Sequence, residues 1–163
     1  MREADVSKVV VTNQVVSDIL AQDKFLLSKP IWQEKPTNTN FLEASLALPV
    51  KGYLAVNLLL TYQREQRCPK FSFNIFYYHD RIFAFDADCA GNTHRNPDKT
   101  RVKHPHLHRW RDNTIAWAVE YDHIDQSDIT ECWGFFCDQA KIVNGMALFE
   151  HPAFDSNGQM RFL

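Results

Sequence analysis

Residues 70–87 read KFSFNIFYYHDRIFAFDA, and this stretch decides the fold. Phe71, Phe73, Ile75 and Tyr77 alternate with Ser72, Asn74, Phe76 and Tyr78, the period of two that sends neighbouring side chains to opposite faces of a strand. Residues 81–87 form a second apolar run, and His79-Asp80 between the two is a two-residue hairpin turn. A hairpin this rich in phenylalanine must bury one face, so it predicts two paired strands of an antiparallel sheet.

The flanking sequence extends that sheet. Residues 41–48 and 53–62 read as strands around Pro49-Val50-Lys51-Gly52, a plausible turn. In the second of them Leu54, Val56, Leu58, Leu60 and Tyr62 share a face, and Leu59 lies on the other, which places the strand near the sheet centre. Residues 114–121 alternate again, with Ile115, Trp117, Val119 and Tyr121 facing one way. Residues 31–33, 147–149 and 161–163 supply short or edge strands. Two helices complete the pattern. Val15/Val16, Ile19/Leu20 and Leu26/Leu27 predict a first helix that Asn13 caps and Lys29-Pro30 stops. Ile129, Cys132, Trp133, Phe136, Cys137, Ala140 and Val143 mark the apolar stripe of a second. Asp128 and Glu131 form its capping box, and Asn144-Gly145 its stop. The expectation is one α+β domain over residues 1–163: an antiparallel sheet of five to seven strands with two main helices packed on one face.

Composition excludes other classes. Of 163 residues 45% are apolar, 13% are aromatic and only five are glycine, which rules out disorder, collagen and low-complexity linkers. No apolar run is long enough to span a membrane. The start, Met1-Arg2-Glu3-Ala4-Asp5, lacks the basic and apolar regions of a signal peptide, so a cytoplasmic location is expected. Cys68, Cys89, Cys132 and Cys137 show no metal-binding pairs, and reduced thiols are expected. Cys132 and Cys137, beside Trp133, Phe135 and Phe136, read as core packing.

Chemistry concentrates in residues 94–111, HRNPDKTRVKHPHLHRWR. Six of the 18 basic residues and four of the seven histidines lie there, with Asp98 the one acid, so the segment carries +5 against −7 for the rest. Asn96-Pro97-Asp98-Lys99 is a turn sequence. If the segment after it is extended, His104, His106, His108 and Trp110 share one face at spacings of about 7 Å. Three readings stay open. His106 and His108, with His94, Asp86 or Asp88 as a third ligand, match the chemistry of a zinc-like ion, and the cofactor is otherwise undetermined. Alternatively, His106 and His108 act as base and acid on a phosphodiester, with His94 assisting and Arg95, Lys103, Arg109 and Arg111 holding phosphate beside Trp110. In the third reading the histidines only make structural hydrogen bonds. Trp110, Tyr77, Tyr78 and Trp117 supply aromatics that stack bases in single-strand binders, although no established nucleic-acid-binding signature occurs.

The string His94-x-Asn96-Pro97-Asp98, followed by His106-x-His108 and an aromatic at Trp110, resembles a family of small uncharacterised bacterial and phage proteins. Its pattern is H-x-NPDG, a short spacer, PHxH with a following aromatic, a W-A or Y-A pair, and interleaved Asp and Ile. Trp117-Ala118 and Ile124-Asp125…Asp128-Ile129 match the last two parts. The resemblance runs from Phe25 to Val143 and is most specific over 94–118. It carries over His94, Asn96, Pro97, Asp98, Pro105, His106, His108 and Trp110. Lys99 replaces the pattern's glycine, and His104 occupies a slot that is usually small or polar. The family implies no established activity; it is similar to genes of mobile elements and toxin–antitoxin neighbourhoods.

Two functional expectations follow, and whether the protein is an enzyme stays open between them. The first is a small prokaryotic or phage accessory protein that binds nucleic acid through 94–111, with a ribonuclease-like toxin as its catalytic version. The second is a non-enzymatic phage or mobile-element inhibitor that captures a host defence complex through the acidic block Glu120, Asp122, Asp125, Asp128 and Glu131. Neither requires a membrane, and either is compatible with a homodimer.

Overall fold

The computed structural model describes residues 9–63 and 69–153. Among the described residues there are nine strands: β1 (Gln33–Lys35), β2 (Asn38–Ala47), β3 (Val56–Gln63), β4 (Lys70–Tyr77), β5 (Asp80–Asp88), β6 (His94–Arg95), β7 (Arg101–Val102), β8 (His106–Arg111) and β9 (Thr114–Glu120). Seven form one antiparallel sheet in the order β1-β2-β3-β4-β5-β8-β9, and β6 pairs with β7 as a separate ribbon. The helices are α1 (Asn13–Ala21), α2 (Ile129–Ala140) and the single turn α3 (Gly145–Leu148). The α+β architecture with a seven-stranded sheet and two main helices is the one the alternation predicts.

The 70–87 hairpin sits at the centre because one of its faces is almost wholly aromatic. Phe73 meets Trp133 edge-on at 5.2 Å, Phe83 meets Phe136 at 5.6 Å and Phe85 meets Phe135 at 5.8 Å. These contacts seat α2 on the sheet. Asp128 caps α2 by accepting from the Thr130 and Glu131 amides, and acids there suit the helix dipole. Val16 and Ile19 of α1 join the same core.

Several boundaries differ from expectation for local reasons. Thr12, not Asn13, caps α1, its hydroxyl accepting from the Val15 amide. α1 stops at Ala21 rather than at Pro30 because the chain then turns extended: Lys24 bonds Lys141 and Val143 through its backbone and Leu26 is bonded by Asn144. α2 ends on Lys141 in the left-handed region, before Asn144-Gly145, and Ala147 lies in α3 rather than in a strand. The third strand begins at Val56, after a positive φ at Ala55. Residues 161–163 lie outside the described residues. Cys132 and Cys137 are free and buried as expected, but Cys89 is disulfide-bonded, which corrects the expectation of reduced thiols throughout. Cys68 lies outside the described residues. Among the described residues no helix is long and apolar enough to cross a membrane.

Candidate metal centre

Helices cover one face of the sheet, and the opposite face carries the polar residues. Strand register lines them up in rows. Thr61, Ser72, Asp86, His106 and Glu120 are successive partners across β3, β4, β5, β8 and β9. Leu59, Asn74, Ala84, His108 and Ala118 form the next row. Alternation along β8 therefore sends His106 and His108 to the polar face and Leu107 to the core, as the period of two requires. The β6–β7 ribbon folds over them. Asn96 clamps it to β9 by accepting from the Ala118 amide at 2.8 Å and donating to the Ala118 carbonyl at 3.1 Å. That clamp places His94 beside His108, with ring centroids 4.6 Å apart.

The hydrogen bonds fix which ring nitrogens face the centre. His106 Nδ1 lies 3.1 Å from the Lys103 carbonyl, and His108 Nδ1 lies 3.1 Å from the Ile115 carbonyl. A carbonyl oxygen only accepts, so each Nδ1 carries a proton, and it is Nε2 of each ring that would be free to take a metal. Those two Nε2 atoms stand 3.1 Å apart. Asp86 Oδ2 stands 3.1 Å from His108 Nε2 and 3.7 Å from His106 Nε2. His94 gives its Nε2 hydrogen to the Ala116 carbonyl at 2.7 Å, which leaves Nδ1 as its acceptor. One donor atom from each of the three histidines lies within 4.8 Å of the others. His106 and His108 are 2% and 5% exposed, so both rings are shielded from bulk solvent.

Two facing Nε2 atoms beside a carboxylate are satisfied either by a shared proton or by a metal ion among them. A tetrahedral ion with bonds of about 2.0 Å separates its ligand atoms by about 3.3 Å, close to the Asp86–His106–His108 triangle. Backbone carbonyls that hold the far nitrogen of each ring are the usual outer partners of metal-bound histidine. Burial would raise the Asp86 carboxyl, but hydrogen bonds from His106 and His108, which need a proton on Nε2 when no metal is bound, and the charge and hydrogen bond of Arg81 outweigh it and hold it well below the usual carboxylate range. Burial pushes both His94 and His104 below the ordinary histidine value, which favours the neutral, ligating form at His94. His104 stacks on His106 at 4.2 Å, and its Nδ1 bonds the Asp86 carbonyl, so it buttresses the group from outside.

The structure brings His94, His106, His108 and Asp86 together and scatters the other candidates. Asp88 turns away to Lys70, Asn92 and the Ala90 amide. Arg109 lies on the helix side and bonds Gln139 and Tyr121. Arg111 stacks over Trp117 at 4.3 Å. Trp110 does not share the histidine face: the register shifts between Arg109 and Arg111, and its ring packs against the apolar core. Arg95 and Lys103 are exposed around the ribbon. Sequence reasoning missed Arg81, whose Nη2 holds Asp86 Oδ1 at 2.7 Å. The polar alternation of Ser72 and Asn74 was the one signal that this face carried a network.

A seven-stranded antiparallel sheet in an α+β fold, with a cluster of two buried histidines, a half-buried histidine and a half-buried carboxylate, defines the class of the molecule. The chain belongs to a family of unknown function, DUF6978, whose model matches residues 11–142 and so includes the whole cluster. This agrees with the resemblance to an uncharacterised family. No curated protein and no solved structure matches the chain.

Proposed function

We propose that this is a metal-binding protein that holds one divalent ion of the zinc type through His94, His106, His108 and Asp86. The observation that carries the reading is the pair of Nε2 atoms 3.1 Å apart, facing each other and a carboxylate. Three imidazoles and one carboxylate suit zinc, and also iron or nickel. Asp86 borders a cavity of about 320 Å³, lined also by Thr61, Lys70, Ser72 and His104, which gives an ion or a small molecule an approach to the centre. Elemental analysis of protein purified without chelator or affinity-tag histidines tests the reading. The expected result is about one equivalent of metal, lost in the His106→Ala/His108→Ala double variant. A wild-type protein that stays metal-free after incubation with Zn, Mn, Ni or Fe would contradict it.

A second reading, nucleic-acid binding in a prokaryotic or phage setting, draws support from Arg95, Lys99, Arg101 and Lys103, all exposed on or beside the ribbon that covers the centre. The ribonuclease-like version asks His106 and His108 to touch a phosphodiester, and their burial favours ligand roles instead. An Arg95→Glu/Arg101→Glu variant that binds RNA as well as wild type at low salt would remove this second reading. The inhibitor alternative has less support. Asp128 and Asp125 serve local caps and turns, and Glu120 accepts from the Lys103 amide.

A further inference from the structure

We propose that Arg81 is a positioning residue of this centre, holding Oδ1 of Asp86 so that the carboxylate presents Oδ2 alone to the ion; the inference rests on the metal reading above. The two carboxylate oxygens have separate partners. Oδ1 accepts from Arg81 Nη2 at 2.7 Å, and Oδ2 faces His108 Nε2 at 3.1 Å.

Arg81 would not reach Asp86 in a regular strand. The two are five residues apart, an odd separation that puts side chains on opposite faces. The β4–β5 register jumps here: Ile75 pairs with Phe83 but Phe76 pairs with Arg81, so Ile82 has no partner. The extra residue is a bulge, and it turns Arg81 onto the polar face. Ala84 is the residue there opposite Asn74, and its small side chain leaves room for the guanidinium to lie along the strand. The guanidinium is fixed from behind as well. Arg81 Nε donates to Asn74 Oδ1 at 2.6 Å, and Asn74 Nδ2 donates to the Leu59 carbonyl at 3.2 Å and to Ser72 Oγ at 2.9 Å. Ser72 in turn bonds Thr61 at 2.9 Å. Thus β3 and β4 orient a residue of β5, which orients the carboxylate, the outer-partner arrangement that tunes metal affinity.

Co²⁺ is the probe, because its visible absorption is intense with four ligands and weak with five or six. Wild type is expected to bind Co²⁺ with the intense spectrum. Arg81→Met removes the donors, frees Oδ1 to coordinate as well, and is expected to weaken the band and lower Co²⁺ affinity by about 10–100-fold. Arg81→Lys keeps the charge but not the two-point hold, and should recover part of both. If Arg81→Met fails to fold, Asn74→Ala leaves the arginine in place but loosens it, and should move the spectrum in the same direction by less. A folded Arg81→Met, or failing that a folded Asn74→Ala, with the wild-type spectrum and affinity overturns this inference while leaving the metal reading intact. A wild type that binds no Co²⁺ overturns both.

Discussion

At the scale of single residues, tautomers carry the chemistry. His106 and His108 are each committed by one carbonyl to keeping a proton on Nδ1, which turns their Nε2 atoms toward each other and toward Asp86. Burial also sets the behaviour of groups far from the centre. Lys24 is fully buried, yet its ammonium donates to the Leu20, Gln22 and Ala140 carbonyls and so satisfies the ends of both main helices. Burial lowers its pKa to about 8. Burial pushes the Cys132 thiol the other way, up to about 12 from an ordinary 9. A folded value above the unfolded one means that the stabilisation is complete below pH 9 and is lost as pH rises towards 12. Wild type should therefore lose about 1.4 kcal/mol more than Cys132→Ala between pH 8 and pH 10, read from urea midpoints at the two pH values. Equal losses would show that the thiol ionises in the folded state.

The ribbon is the element that makes the cluster a closed site. Its hold on β9 rests on Asn96, His94 and, just past β7, the Lys103 amide on Glu120, so it should be the weakest-attached part of the polar face. Asn96→Ala strands the buried Ala118 amide and carbonyl, and is expected to cost about 1–3 kcal/mol in denaturant unfolding. The same variant should speed hydrogen exchange at Ala118; unchanged exchange would mean the ribbon is held by other contacts. The turn within the ribbon carries a second test. Lys99 adopts φ +73°. A left-handed lysine costs about 1–2 kcal/mol and glycine's extra chain entropy about 0.5–1, so Lys99→Gly should leave stability unchanged or raise it by up to about 1.5 kcal/mol. A fall in melting temperature would contradict that.

Across the whole molecule, the alternation of 70–87 made the sheet legible because a buried aromatic face admits one register. The α2 stripe was legible for the same reason at helical period. What escaped were features that break period. The bulge at Ile82 hid Arg81, and the shift after Arg109 moved Trp110 to the core. The early end of α1 depended on pairing with residues more than a hundred positions away, which no local pattern records. His94, His106, His108 and Asp86 could be named from residue type, but only the register of β5 on β8 and the clamp of Asn96 bring them together. The most direct test is a crystal of zinc-loaded protein measured on both sides of the zinc absorption edge. The expected result is one anomalous peak among His94, His106, His108 and Asp86, with ligand distances of about 2.0–2.2 Å. A loaded crystal with no peak there, and with a proton-bridged His106–His108 pair in its place, would contradict the metal centre.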